Sequence, residues 1–312
     1  MGAVDVDSTW STGVNNFIFD TNKFPNASAM VAAFHEKNIR VILWATSMID
    51  TDSSNYAEGL SKGFFVSDGA TIKWWHGEGS FLDYSNPDAV EWWHQQLDNV
   101  LVDVGVDGFK CDGTDPYIME IIAYGKGGPF TERQYAAWYY GDFFNYSRSR
   151  NSNALIMSRP VDSFNSLIYL DFSPHFVMLS GWVGDQDPTF SGLKDALGNM
   201  FHSAWRNYTN FGSDIGGYRS GDRTKELFLR WAQLGAFCPL MENGGNGEHR
   251  PWMYDEETLQ IYRSFVQIHY EIGPYLLSAG TQAYETHSSV MFPMAKDLWP
   301  LPVTVWAYQA VA

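Results

Sequence analysis

The stretch Val106-Asp107-Gly108-Phe109-Lys110-Cys111-Asp112-Gly113 starts apolar and ends in charge. A short apolar run closed by glycine reads as a buried strand. Alternation along a strand puts Lys110 and Asp112 on one face and Cys111 on the other, so Cys111 reads as packing. A cation and a carboxylate at the end of a buried strand cost free energy to keep there. Beside a cation the carboxylate keeps a low pKa and stays ionised, as a nucleophile or a stabiliser of developing positive charge must. The structural alternative is a Lys–Asp ion pair that closes the end of the sheet.

Outward from this strand the same unit recurs: an apolar run, a polar loop with Asp, Trp or Gly, then a helical stretch. The other runs are Ala3–Val6, Ile39–Trp44, Ala154–Met157, Val177–Leu179, Tyr208–Phe211 and the region from Leu234 to Leu240. The spacing predicts helices over Ser28–Lys37, Pro87–Val104, Thr131–Arg150, Gly192–Asn207 and Thr224–Gly235. Asn86 precedes Pro87 in the capping position that helix starts favour. Strands and helices in alternation imply an α/β fold with a parallel sheet. Polar residues gathered at the strand ends imply a (β/α)8 TIM barrel whose site lies on that rim. Seven strands are legible, one short of the eight required, so the barrel is expected to be incomplete with its first strand missing. The segment from Ala45 to Asn86 has no clear strand but carries Trp74, Trp75, His76 and Asp83. Loops that long are usually functional.

With 312 residues, 45% of them hydrophobic, the chain has ample material for a continuous core. No Ser/Pro-rich linker or short repeat divides it, so one domain is expected over 1–294, followed by a divergent tail over 295–312. The net charge of −16 excludes a polyanion such as nucleic acid as partner, because phosphate backbones need clustered cations. No apolar run approaches the length of a membrane span, and the opening residues do not form a basic-then-apolar leader. Cys111 and Cys238 lack the spacing of a zinc site or disulfide scaffold and read as buried thiols. Asn26, Asn145 and Asn207 open N-x-S/T triplets, which matter only in a secretory compartment; the sequence does not assign the localisation. Aromatics make up 16% of the chain, and many sit beside Gly, Asp or Asn, where rings line sugar sites as well as cores.

A second carboxylate lies in Ser180-Gly181-Trp182-Val183-Gly184-Asp185-Gln186-Asp187. A glycine-rich loop against an aromatic ring favours a protonated acid by partial desolvation, although Gly-Asp is also a common turn. Two carboxylates in opposed environments are the equipment for splitting a glycosidic bond: one attacks the anomeric carbon and the other protonates the leaving oxygen. Asp7, Trp44, Arg159 and Asp214 each close or follow a strand and would reach the same rim. There a sugar needs charged partners for its hydroxyls and an aromatic wall for its apolar face.

The chain resembles glycoside hydrolase family 31 from Asp5 to about Met294. The marks, in order, are Phe19-Asp20 with Phe24-Pro25, Leu43-Trp44, Lys62-Gly63-Phe64-Phe65-Val66, Asp83-Tyr84-Ser85-Asn86-Pro87 and the stretch ending in Asp112. Gly184-Asp185, Ser213-Asp214-Ile215-Gly216-Gly217, Arg230-Trp231 and Pro274-Tyr275-Leu276 follow. The resemblance implies a retaining α-glycosidase acting through a covalent glycosyl-enzyme, with Asp112 as nucleophile and Asp185 as acid and then base. It implies that Asp7, Trp44, Lys110, Arg159, Trp182 and Asp214 hold the sugar at the cleavage point, with no metal or organic cofactor. The expected partner is an α-linked oligosaccharide or glycoside. Retention implies carboxyl groups about 5–5.5 Å apart.

Two departures from the family pattern bear on the substrate. The Arg-x-His that α-glucosidases carry near the last strand is replaced by Leu240-Met241-Glu242-Asn243, followed by a glycine-rich stretch with His249. Glu242 and Asn243 are candidates to bind hydroxyls in place of that pair, with His249 as the alternative. Gly113-Thr114-Asp115 stands where Gly-Glu or Asn-Glu is usual. The expected glycone is therefore an α-glucoside, α-galactoside or α-xyloside. The family also has a β-sandwich and a first strand before the Asp5 segment, and β-sandwiches after the barrel. An inactive fragment or carbohydrate-binding remnant is the alternative reading.

Overall fold

The computed structural model describes residues 2–164 and 168–291. The tail expected over 295–312 lies outside the described residues. The chain packs as two compact units: residues up to 158 together with 172–177, and residues 159–171 together with those from 178 onward.

The first unit contains β1 (Ala3–Val6), α1 (Ala27–His35), β2 (Arg40–Ala45), β3 (Met48–Asp50), α2 (Tyr56–Ser61), β4 (Ile72–Lys73) and β5 (Glu78–Phe81). It continues with α3 (Pro87–Leu101), β6 (Gly108–Cys111), β7 (Tyr124–Gly125), β8 (Gly128–Pro129), α4 (Glu132–Arg150) and β9 (Leu155–Ser158). β1, β2, β6 and β9 pair in that order, all parallel, with Val6, Leu43, Phe109 and Ile156 in one register row. That row faces the helices. Phe109 packs edge-on against Phe143 of α4 at 5.1 Å, and Phe17 meets Trp93 of α3 at 5.0 Å. These four rings are essentially inaccessible to solvent, and burying a ring of this size contributes about 2–3 kcal/mol. The opposite alternation carries Asp5, Trp44 and Lys110, so one face of the sheet is apolar core and the other sets charged groups among the buried Ile42, Trp44 and Met157. Gly108 permits the pairing of β6 with β9: a Cβ there would lie 1.9 Å from the Leu155 carbonyl oxygen.

The expected helices form, with ends moved by up to three residues. Asn86 accepts from the Asp88 amide at 3.2 Å with Pro87 in the first turn. Thr131 is the cap of α4 rather than its first helical residue. Its hydroxyl accepts from Gln134 N at 3.2 Å, and Gln134 Oε1 accepts from Thr131 N at 2.8 Å. The segment between Ala45 and Asn86 is not without strands: β3, β5 and β4 form an antiparallel sheet in that order. Strands of two to four residues are too short to show a period in the sequence.

The second unit contains β10 (Val161–Phe164), β11 (Ile168–Asp171), β12 (Ser180–Gly181), α5 (Phe190–Trp205), α6 (Lys225–Gly235) and α7 (Glu256–Glu285). Its parallel steps run from Trp182 to Gly212 and from Asp214 to Glu242. These parallel pairings follow the four parallel strands of the first unit along the chain, as in an α/β fold of incomplete (β/α)8-barrel type. Their positions differ from the sequence reading. Val177-Met178-Leu179 is not a strand: residues 175–177 make a 3-10 turn and β12 follows. Val177 and Met178 are fully buried, and an apolar run reports burial before it reports conformation. Likewise α6 extends to Gly235, and the last pairing falls at Glu242, beyond Leu240. The helix α7 was not expected. Gly273-Pro274 reads as a breaker, yet Pro274 lies inside a helix of 30 residues.

Among the described residues no helix is long and apolar enough to cross a membrane. Cys111 and Cys238 are buried free thiols, as expected. Burial pushes the Cys238 thiol up to about 12 and Cys111 well above its ordinary value.

Candidate active site

In the first unit the charge-bearing face of the sheet gathers Asp7, Trp44, Lys110 and Asp112. Lys110 is buried on β6, and its Nζ lies 3.1 Å from Asp7 Oδ2 and 3.5 Å from Asp5 Oδ2. A buried ammonium needs such partners to remain charged. Asp112 follows β6 directly. Its Oδ1 accepts from the Gly113 amide at 2.7 Å and its Oδ2 from Trp44 Nε1 at 3.0 Å. The backbone is fixed as well: Asp112 N donates to the Ala45 carbonyl at 2.8 Å, and the buried Tyr139 hydroxyl donates to the Asp112 carbonyl at 2.9 Å. Burial drives the Tyr139 phenol well above its ordinary pKa, so it is a permanent donor. The departure at Thr114 is structural in effect. Its buried hydroxyl bonds to Thr46 and, at 2.7 Å, to Ser47, tying the loop after β6 to the loop after β2.

Trp44 is one wall of an aromatic cluster. Trp74 stacks parallel to it at 6.5 Å and Trp75 meets it edge-on at 6.0 Å. Trp75 is 61% exposed, whereas Trp44 and Trp74 are buried. Beneath them Asp50, itself 2% exposed, accepts from Trp74 Nε1 at 2.7 Å and from His76 Nδ1 at 2.6 Å. Burial raises the Asp50 pKa, and the two donors oppose that shift.

In the second unit Arg159, Trp182 and Asp185 are brought together. The Arg159 guanidinium lies 4.9 Å above the buried Trp182 ring and places Nη2 3.4 Å from Asp185 Oδ1. Its other nitrogen bonds to Asp162, which also accepts from Asn199 Nδ2 at 2.9 Å. Asn199 donates further to the Val183 carbonyl at 3.0 Å, so it holds both Asp162 and the strand that leads to Asp185. Gly184 has φ 87, and a Cβ there would overlap the Asp162 carboxylate at 2.1 Å. Only glycine lets the chain turn at this point and still present Asp185.

Asp214 pairs with Glu242 in the last parallel step, and Ile215 N donates to the Glu242 carbonyl at 3.0 Å. Asn243 is exposed and donates to the His249 carbonyl at 3.0 Å. His249 is buried, with Nδ1 3.1 Å from the Ile215 carbonyl. Burial, reinforced by the nearby Arg223 charge, lowers its pKa to about 4, so it is neutral at physiological pH. Tyr139, Asp162, Asn199 and Trp75 were not singled out as site residues. Trp75 alone had a sequence signal, as part of Trp74-Trp75-His76 in the long segment.

Residues 2–279 match the model of the TIM-barrel domain of glycosyl hydrolases family 31. The chain belongs to glycosyl hydrolase family 31. The alpha-xylosidase of Emericella nidulans is 27% identical over 288 residues, covering 89% of this chain and 35% of the relative. Alpha-glucosidase 2 of Bacillus thermoamyloliquefaciens is 25% identical over 312 residues, covering 94% of this chain and 39% of the relative. The chain thus spans little more than a third of these family 31 relatives. A solved family 31 alpha-xylosidase from a soil metagenome, complexed with xylose, superposes with a TM-score of 0.81 over 98% of this chain and 49% of that one, at 21% identity. That likeness carries the fold.

Proposed function

We propose that this chain carries the catalytic residues of a retaining α-glycosidase that hydrolyses terminal α-linked sugars, with Asp112 as nucleophile and Asp185 as acid and then base. The observation that carries the reading is the setting of Asp112, with both carboxylate oxygens fixed by the Trp44 indole and the Gly113 amide on the charge-bearing face of a parallel sheet. An oriented anion with little freedom to turn is what attack on an anomeric carbon requires. Attack forms the bond from Asp112 to the anomeric carbon while Asp185 gives its proton to the leaving oxygen. Asp185 then takes a proton from water, which displaces Asp112 with net retention. The mechanism requires the two carboxyl groups to come within about 5–5.5 Å.

Asp7, Lys110, Arg159, Trp182 and Asp214 take the roles of hydroxyl partners and ring walls for the glycone. Glu242 and Asn243 stand where an α-glucosidase has Arg-x-His, so α-galactosides and α-xylosides belong beside α-glucosides as substrates. Hydrolysis of a panel of p-nitrophenyl α-glycosides by the purified chain, with Asp112→Ala alongside, tests the reading. Release from one sugar, abolished by the substitution and giving the α-anomer first by NMR, supports it. A folded chain that binds these sugars but releases nothing would instead be a carbohydrate-binding remnant.

A further inference from the structure

Asp50 is the last residue of β3, a carboxylate taken almost wholly out of water. Such a group needs a partner for each oxygen, and one turn supplies both. Residues 74–77 join β4 to β5 in an antiparallel hairpin, closed by the Trp74 amide donating to the Gly77 carbonyl at 3.0 Å. Trp74 Nε1 donates to Asp50 Oδ1 at 2.7 Å, and His76 Nδ1 lies 2.6 Å from Oδ2. Glycine makes room for the carboxylate: Cβ atoms at Gly77 and Gly79 would lie 3.3 and 3.0 Å from its oxygens.

A turn of four residues carrying two indoles has many arrangements to lose on folding, and Asp50 selects one of them. It pins the first and third residues of the turn. Trp74 is thereby buried, 6° from parallel to Trp44 with ring centroids 6.5 Å apart, and Trp75 between the two anchors is left exposed. The Trp44 carbonyl accepts from Trp10 Nε1 at 2.8 Å, which fixes its backbone. The Trp74 ring fixes the plane of its indole, and that plane decides whether Nε1 points at Asp112 Oδ2, 3.0 Å away.

We propose that Asp50 is a positioning residue for the nucleophile: by holding Trp74 against Trp44 it aims the indole N–H that orients Asp112. The inference rests on the α-glycosidase reading above and adds a residue that works at two removes from the reacting carboxylate. Asp50→Ala removes both anchors of the turn. Asp50→Asn keeps an oxygen for Trp74 Nε1 and offers its amide to His76 in the other tautomer.

Asp50→Ala is expected to lower kcat/KM about ten-fold for the p-nitrophenyl α-glycoside that the wild type hydrolyses fastest, because small misplacements of a reacting group cost rate steeply. Asp50→Asn should recover most of the loss. In a Trp44→Phe background, which already lacks the donor, Asp50→Ala should cost less than about two-fold further. An equal loss in both backgrounds would show that Asp50 only supports the fold, and no loss in either would show that Trp44 keeps its place unaided; each result overturns the proposal. A second readout needs no turnover. In a proton–nitrogen correlation spectrum of chain labelled at tryptophan, the Trp44 indole signal is assigned by its disappearance in Trp44→Phe. Its N–H should exchange with solvent about ten-fold faster in Asp50→Ala and at close to the wild-type rate in Asp50→Asn; an exchange rate that Asp50→Ala leaves unchanged overturns the proposal. If the wild-type chain hydrolyses nothing, the α-glycosidase reading fails separately, and the exchange of this N–H decides the part assigned to Asp50. If Asp50→Ala does not fold, Trp74→Phe takes its place in both measurements with the same expected and overturning results, since it keeps a ring beside Trp44 and loses the bond to Asp50.

Discussion

Trp44 Nε1 on β2 and Asp112 Oδ2 after β6 lie 3.0 Å apart, on strands that are direct neighbours in the sheet. The bond spans one strand spacing and orients the carboxylate without a charge of its own. Trp44→Phe keeps a ring at the wall and removes only the donor. A hydrogen bond to a charged group is worth about 1.5–3 kcal/mol, so kcat/KM should fall between about ten- and a hundred-fold with the unfolding midpoint nearly unchanged. A variant that unfolds early but turns over normally would show that the indole serves packing instead.

The depressed His249 pKa makes a prediction about acid stability. Its folded value is about 4 against an ordinary 6.5, so between these pH values the unfolded chain binds a proton that the folded chain refuses. Stability is therefore complete above about pH 6.5 and lost as the pH falls towards 4, by on the order of 3 kcal/mol. Other groups titrate in this range, so the measurement is a difference. His249→Asn keeps a donor for the Ile215 carbonyl and cannot titrate. Its urea midpoint between pH 4 and 7 should slope less than that of the wild type, and parallel profiles would count against the assignment.

The strand ending in Asp112 was legible because two features coincide there, an apolar run and charges it cannot bury without reason. The caps at Asn86 and Thr131 were legible because capping is written within four residues. By contrast β3, β4 and β5 are shorter than any period that could announce them, and α7 is hidden by a Gly-Pro pair that a long helix absorbs. Within the site, the carboxylates and the Trp44 wall announce themselves by type and place. Asp162 and Asn199 do not, since their role is to hold Arg159 and the strand before Asp185, and nothing in a sequence shows which polar side chains meet.

The capping box on α4 gives a test of local energetics. Thr131→Ala removes the acceptor for the Gln134 amide and should cost about 1 kcal/mol, read as a lower urea midpoint with an unchanged slope. Thr131→Ser or Thr131→Asp should restore most of it, because either side chain supplies the oxygen. If alanine matched serine, the tertiary packing of α4 alone would fix its start.

Gly184 carries a sharper expectation, because two costs act at once. Its φ of 87 is unfavourable for alanine, and the added Cβ would meet the Asp162 carboxylate at 2.1–2.5 Å. The backbone strain costs about 1 kcal/mol and the overlap a further 1–3, so Gly184→Ala should destabilise by roughly 2–4 kcal/mol. Relief would require Asp162 to move, and Asp162 is held by Arg159 and Asn199; the disturbance therefore reaches Arg159, which also contacts Asp185. Asp162→Ala empties the space the new methyl needs. In that background Gly184→Ala should cost only the backbone strain, which gives a favourable coupling of at least about 1 kcal/mol in a double-mutant cycle of unfolding free energies. Additive costs would mean that the glycine is required by the turn alone and that Asp162 yields freely.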